Sequence, residues 1–324
     1  MKAIVYEQYG PPDVLSLKEI DKPLPGKGEV LVRVHAASVN PYDWHFLRGK
    51  PALLQLFTGI GKPRYPRLGA DCAGVVEAVG SGTTRFKPGD AVFGVCKGSF
   101  AEFACGKETQ LALRPAGVSF EQAASLPIAA TTALQGLRDR AKIKAGQQLL
   151  INGAAGGVGT FAVQIEREMG AHVTAVCSGR NADLMRSLGA ECVIDYMQED
   201  FTRSPQKWDA IFDLVGNRTL AEFRSALQPK GVFVSCGGGG PDKKATELAG
   251  VMFGKMLIAP FVSQRLTGVL AKINGADLST LAAMVESGKI KPVLDRTYPL
   301  AETAEAVRYV EACHARGKVI IALG

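Results

Sequence analysis

Hydrophobic and polar positions alternate in short runs through the first third of the chain. Lys2–Glu7, Glu29–Ala37, Asp71–Val79, Ala91–Val95 and Ala101–Ala104 each carry the two-residue period of a strand. Turn-forming segments divide them: Pro25-Gly26-Lys27-Gly28, Gly80-Ser81-Gly82 and Lys87-Pro88-Gly89-Asp90. Many short strands separated by Gly and Pro predict a small barrel-like β domain. The stretch from Arg48 to Pro66 is rich in Gly and Pro and reads as a loop.

Near residue 120 the pattern changes. Ser119 is placed to cap a helix that begins at Phe120, and Pro127 opens a second helix at its first turn. From Gly146 to about Val234 apolar strands alternate with helices. Strands fall near 148–152, 171–177, 191–194, 209–214 and 230–235, and helices near 157–168, 181–188 and 218–227. That alternation predicts a doubly wound parallel sheet whose ligand crevice lies at the carboxyl ends of the strands. After Gly237–Gly240 the pattern is hard to read. It resumes with a helix near 277–287, a strand near 293–298, a helix near 301–313 and a final strand, Gly317–Leu323.

Between the first of these parallel strands and its helix stands Gly153-Ala154-Ala155-Gly156-Gly157-Val158-Gly159. Glycines let backbone approach a pyrophosphate closely, and the free N–H groups of the first helical turn point at it. Ala155, Gly156, Gly157 and Val158 are therefore candidate cofactor-binding residues. Ala154 stands where the usual dinucleotide loop has its first glycine. An NAD site carries an acidic residue about 20 residues beyond the glycines, at the end of the second strand. Here that strand ends in Ser178-Gly179-Arg180-Asn181, with no carboxylate. Arg180 and Ser178 suit a 2′-phosphate, which Arg binds with charge-assisted bonds, so NADPH is the expected cofactor. Tyr196 is a candidate neighbour of the same ribose phosphate. Gly216 and the pair Cys236-Gly237 follow later strands and are expected to face the cofactor.

Composition narrows the class further. The chain has 324 residues, 47% hydrophobic and 21% charged, which is globular and long enough for two domains. The net charge is +7, yet the basic residues are dispersed, so nucleic acid is not an expected partner. No apolar run reaches the ~18–20 residues of a membrane span. The first residues show no secretory pattern, and a cytoplasmic location is the expectation. The seven cysteines are scattered without Cys-x-x-Cys spacing, which argues against a disulfide framework or a structural zinc lobe.

Several separated segments carry a family resemblance. They are Ala37-Ser38-Val39-Asn40-Pro41-Tyr42-Asp43-Trp44, Leu68-Gly69-Ala70-Asp71-Cys72-Ala73-Gly74-Val75-Val76, Val79-Gly80-Ser81-Gly82, Phe86-Lys87-Pro88-Gly89-Asp90-Ala91-Val92, Leu126–Ala133, the glycine loop, and Ala315-Arg316-Gly317-Lys318-Val319-Ile320. Together they resemble the zinc-free branch of the medium-chain dehydrogenase/reductase superfamily, the quinone oxidoreductases or zeta-crystallin-like enzymes. Asn-Pro-x-Asp-Trp and Ser-x-Arg-Asn resemble the NADPH-dependent alkenal and enone reductases in particular. The resemblance implies a GroES-like β-rich catalytic domain from residues 1–122 and 289–324, and a Rossmann NADP-binding domain from residues 123–288. Zinc-dependent relatives have a Cys and a His where this chain has Asn40-Pro41-Tyr42-Asp43 and Gly69-Ala70-Asp71, so no metal site is expected.

Without a Lewis acid a plain carbonyl is hard to reduce, whereas a conjugated one accepts hydride at the β-carbon and gathers charge on oxygen. The expected activity is zinc-independent, NADPH-dependent reduction of a small hydrophobic quinone or enone. The alternatives are an NADPH-binding, crystallin-like protein with little turnover and a zinc alcohol dehydrogenase with displaced ligands. The nicotinamide is expected at the seam between domains near Asn40, which reads either as its neighbour or as a turn residue. Thr131 either bonds the nicotinamide ribose or is an ordinary helical Thr. Tyr42, Asp43 and His45, with Asn40, are the catalytic candidates for polarising substrate or delivering a proton; Asp43 equally suits a role in fixing the loop. Met252–Leu270 reads as an apolar lining of the substrate mouth or as the surface of an expected homodimer.

Overall fold

The computed structural model describes residues 1–236 and 262–323. From the start of the chain run β1 (Lys2–Val5), β2 (Ser16–Glu19), β3 (Glu29–Val39), α1 (Pro41–Arg48), α2 (Gln55–Thr58), β4 (Asp71–Val79), β5 (Ala91–Val95), β6 (Phe103–Lys107), β7 (Leu111–Leu113), α3 (Phe120–Ala124) and α4 (Pro127–Gln135). There follow β8 (Gln148–Asn152), α5 (Gly157–Met169), β9 (His172–Cys177), α6 (Ala182–Leu188), β10 (Cys192–Asp195), β11 (Trp208–Asp213), α7 (Leu220–Ala226), β12 (Leu227–Ser235) and β13 (Arg265–Gly268). Beyond these come α8 (Gly275–Glu286), β14 (Leu294–Pro299), α9 (Thr303–Glu311) and β15 (Lys318–Ala322). The chain divides into two compact units: Met1–Thr131 with Lys272–Gly288 and Pro292–Gly324, and Thr132–Ala271 with Lys289–Lys291.

The first unit is β-rich. Its main sheet has the order β14-β15-β3-β4-β5-β7, with β6 also paired to β3. Strand β3 is central and buried along most of its length, which its run of Val, Leu and Ala permits. The late strand β15 pairs antiparallel with it, Val319 opposite Val39 and Ile321 opposite Ala37. The core gathers Val32, Val34, Leu47, Phe100, Val307 and Val319. At the end of β3 the chain turns directly into α1. Pro41 takes the first helical position, the Asp43 carboxylate accepts from the Asn40 backbone N–H at 2.8 Å, and Gly49 ends the helix with φ +58°.

The second unit is a parallel sheet of order β10-β9-β8-β11-β12-β13. Counted from β8, this is the 3-2-1-4-5-6 order of a dinucleotide-binding fold, with its switch point between β8 and β11. Phe201, Trp208, Phe223 and Phe233 pack together against Leu150 and Ile211.

Two expectations need correction. Arg48–Pro66 is not a featureless loop: a 3-10 turn, Ala52–Leu54, runs into α2. Helix α1 stands where no helix was expected, because the Asn-Pro start marks an N-terminus as readily as a turn. The division of the chain differs from 122/123 and 288/289. Helix α8 belongs with the first unit because it packs on β7 and lies against the Arg85 guanidinium, and α3 stays there by packing on β3 and β4.

Candidate functional site

In the second unit the glycine loop leaves β8 at its carboxyl end. Gly153 has φ +87°, so it supplies the left-handed turn while Ala154 is fully buried and needs no such freedom. A Cβ on Gly159 would come within 2.4 Å of the Ala154 carbonyl oxygen, so only glycine lets α5 pack this close to the loop. Gly156 is the N-cap of α5 and has no capping side chain. The first-turn N–H groups at Gly157, Val158 and Gly159 are left facing outward from the helix end, the donor set an anionic diphosphate requires.

The neighbouring strand ends carry the residues that the sequence singled out for the adenosine phosphate. Ser178 follows β9, and its hydroxyl accepts from Asn181 Nδ2 at 3.1 Å. Arg180 is exposed in the turn Gly179–Asn181, whose last residue, Asn181, is buried. The Tyr196 backbone N–H bonds the Cys177 carbonyl at 3.2 Å, and Asp195 accepts from Met197 N at 3.0 Å. Tyr196 is half-exposed just past β10, its backbone bonded to the end of β9. The residues present fit an NADPH adenosine phosphate: a guanidinium, a hydroxyl and an aromatic ring around one strand end.

At the switch point, Asn152 and Asp213 close the ends of β8 and β11. Asn152 Nδ2 donates to Asp213 Oδ1 and to Asn217 Oδ1, both at 2.9 Å. Asp213 Oδ1 also accepts from the Val215 and Gly216 N–H groups. Gly216 is thus held in a fixed turn beside the glycine loop. Cys236 follows β12, and burial, with Asp213 nearby, pushes its thiol up to about 12, so it is a neutral thiol rather than a nucleophile. Gly237 and most of Met252–Leu270 lie outside the described residues.

In the first unit a buried polar cluster surrounds Asn40. Asn40 Nδ2 donates to Asp71 Oδ2 at 2.8 Å and to the Ser38 carbonyl at 3.3 Å, and Lys318 Nζ donates to Asn40 Oδ1 and to the Val39 carbonyl. Asp71 accepts in addition from Ser38 Oγ at 2.8 Å and from the Ile128 N–H, in the first turn of α4, at 3.0 Å. Lys318 Nζ is 3.5 Å from Asp71 Oδ2. All of these side chains are buried. Burial pushes Asp71 up and Lys318 down, and each pulls the other back toward its charged form. Asp43, also fully buried, is pushed up to about 7, first by burial and further by the Asp71 charge. One ammonium thus faces two carboxylates, and protonation of Asp43 near neutrality leaves the cluster without net charge.

The candidates differ in what they can still do. The Asn40 amide has both N–H donors committed and one oxygen lone pair left, so it reads as a rigid wall of the site. Asp43 secures the start of α1. His45 is held by its Nδ1 on the Lys50 carbonyl at 3.1 Å and stacks on Trp44. A carbonyl only accepts, so Nδ1 carries the proton; burial lowers the His45 pKa, which leaves Nε2 bare. Tyr42 is 43% exposed, with its ring 4.0 Å from that of Phe46. Burial and the neighbouring Asp43 push its hydroxyl up to about 12, so it remains an O–H donor. Thr131 is fully buried, and its hydroxyl has no partner among the described residues, as expected of a group kept for a ligand.

Residues 26–118 match the alcohol dehydrogenase GroES-like domain, and residues 188–321 match the zinc-binding dehydrogenase domain. An NADPH-dependent alkenal/one oxidoreductase of Arabidopsis thaliana is 35% identical over 336 residues, spanning 99% of this chain and 79% of the relative. The chain is a medium-chain dehydrogenase/reductase. The quinone oxidoreductase of Coxiella burnetii superposes on it with a TM-score of 0.88 at 33% identity, over 100% of this chain and 99% of that one. The Escherichia coli quinone oxidoreductase complexed with NADPH gives a TM-score of 0.85 at 26% identity, over 99% and 100%. In this medium-chain dehydrogenase/reductase, no group of three or more His, Cys, Asp or Glu among the described residues is placed to hold a metal ion. His35 stacks on Phe120 and Cys72 lies against Cys96. Sequence reasoning missed Ser38, Asp71, Lys318, Asn152 and Asp213 as site residues. The available signal was a polar residue at the end of an apolar strand, which applies to Asn152 and Asp213 and, reversed, to Lys318.

Proposed function

We propose that the protein is an NADPH-dependent reductase of quinones and α,β-unsaturated carbonyls. The observation that carries this reading is the end of β9. Ser178 and exposed Arg180 stand there beside a glycine-lined helix N-terminus, where an NAD enzyme would present a carboxylate. The alkenal/one and quinone relatives support the same substrate class. A cytoplasmic setting, a homodimeric state and independence from zinc belong to this proposal. For location, the structure itself states only that no described helix is long and apolar enough to cross a membrane.

In this reading the α5 first turn would hold the diphosphate, and Ser178, Arg180 and Tyr196 would take the adenosine phosphate; Thr131, in the first unit, keeps a hydroxyl without a partner among the described residues. NADPH, when bound, would supply the hydride for conjugate reduction. Charge then collects on the carbonyl oxygen of the acceptor, where the Tyr42 O–H donates a hydrogen bond. Asn40, immobilised by Lys318 and Asp71, fixes the wall against which the substrate is oriented.

The test is NADPH oxidation in metal-free buffer against a panel of 2-alkenals, cyclic enones and quinones. Turnover with NADPH preferred over NADH is expected. No turnover above background on any acceptor overturns the reading, and tight NADPH binding without turnover would mark a nucleotide-binding protein instead.

A further inference from the structure

The segment between α1 and β4 is folded inside out. Its inner side is polar: Tyr9 Oη bonds Thr58 Oγ1 and the Gly59 carbonyl, both at 2.7 Å, and Gln55 Nε2 donates to the Gly49 carbonyl at 3.1 Å. A Cβ on Gly59 would come within 2.3 Å of the Lys62 carbonyl oxygen, so the turn after α2 is tight and specific. Its outer side is apolar. Leu53, Leu56 and Phe57 share one face of the helical turn, Ile60 follows, and Phe57 and Ile60 are 77% and 78% exposed. Packing this segment on the core would have used the apolar face inward, so the exposed face is the one kept for a partner.

Charge says what partner. From residue 44 to residue 70 the chain holds no Asp or Glu. Lys50, Lys62 and Arg64 are exposed, and none of them has a carboxylate partner among the described residues. Apolar side chains flanked by unpaired cations, carried on a short helix lying across the surface, are the composition of an interfacial membrane anchor. A second copy of the chain is the poorer occupant, because a two-fold contact would set the same cations against each other.

We propose that this face, built on Leu53, Leu56, Phe57 and Ile60, docks the protein reversibly on an anionic lipid surface. The apolar side chains enter the headgroup boundary while Lys50, Lys62 and Arg64 meet lipid phosphates. Docking of this kind would bring a reductase to quinones dissolved in the bilayer, but the inference stands without that reading because it concerns lipid binding alone.

The experiment is co-sedimentation of the full chain with phosphatidylcholine vesicles and with vesicles also containing phosphatidylglycerol, without cofactor or substrate. Binding to the anionic vesicles that weakens with salt is expected. Phe57→Ser and the pair K62E/R64E should each weaken it about tenfold or more. Circular dichroism and thermal melting check that these exposed-site variants remain folded. Absent binding to anionic vesicles, or binding equal in wild type and both variants, overturns the proposal. So does self-association abolished by Phe57→Ser, which would make the face a contact between copies. A raised KM for a water-soluble enone in Phe57→Ser, with vesicle binding unchanged, assigns the face to small substrates and also overturns it.

Discussion

Lys318 Nζ donates to Asn40 Oδ1, and both side chains are buried in the first unit. The bond orients the Asn40 amide, and the same ammonium lies 3.5 Å from Asp71 Oδ2. Removing it leaves a buried carboxylate without its counter-charge.

Lys318→Met is therefore expected to destabilise the protein by about 3–5 kcal/mol. Lys318→Met combined with Asp71→Asn should recover part of that loss, because the unpaired charge is gone. Chemical denaturation of the two single variants and the double variant measures the coupling. Strict additivity would show that Lys318 and Asp71 do not stabilise each other.

Tyr42 keeps its proton well above neutral pH. Tyr42→Phe should lower kcat roughly tenfold to a hundredfold while leaving NADPH affinity unchanged. It should not remove any limb of the pH profile between pH 6 and 9, since the hydroxyl does not titrate there. Steady-state kinetics across pH, with NADPH titration by fluorescence, separate these effects.

Arg180→Ala should weaken NADPH by about 1–3 kcal/mol and NADH hardly at all, if the guanidinium reads the 2′-phosphate. Calorimetric titration of both nucleotides checks this. Equal weakening would take Arg180 out of cofactor selection.

Glu166 on α5 is fully buried, and neither carboxylate oxygen has a partner among the described residues. Burial pushes its pKa from 4.5 up to about 8. Between those values the folded state holds a proton that the unfolded state has lost, so this group makes stability fall as pH rises. Glu166→Gln should be close to wild type near pH 5 and more stable near pH 9, by on the order of 3 kcal/mol. Melting curves of both proteins across pH read the difference directly. A gap that does not widen with pH would show that Glu166 is ionised or solvated in the fold.

The parts of the site most legible in the sequence were those whose chemistry dictates residue type locally. The glycine loop needs Gly153 for its turn and Gly159 for close packing, and both demands show within seven residues of sequence. The parallel strands were legible because each is an apolar run bounded by turn residues. The Asn40 cluster was only half visible. Asn40 and Asp43 stand out in the Asn-Pro-Tyr-Asp segment, but Asp71 and Lys318 look like ordinary strand-end charges. Their burial comes from pairing with β3, which no local pattern records. Helix α2 escaped notice for a related reason: its apolar face points outward, so Gly and Pro dominated the local reading.

Strand β15 also carries a cost in chain entropy. Lys318 reaches Asn40 across 278 positions of chain, and nearly the whole second unit lies between them. That unit closes its sheet largely from neighbouring segments and can condense as soon as they exist. The Asn40 cluster depends on a strand far along the chain, at the entropic cost of closing a very long loop. Loop closure thus weighs unequally on the two units: the strands of the parallel sheet are joined by much shorter connections, whereas the Asn40–Lys318 contact carries the entropy of a loop of 278 positions.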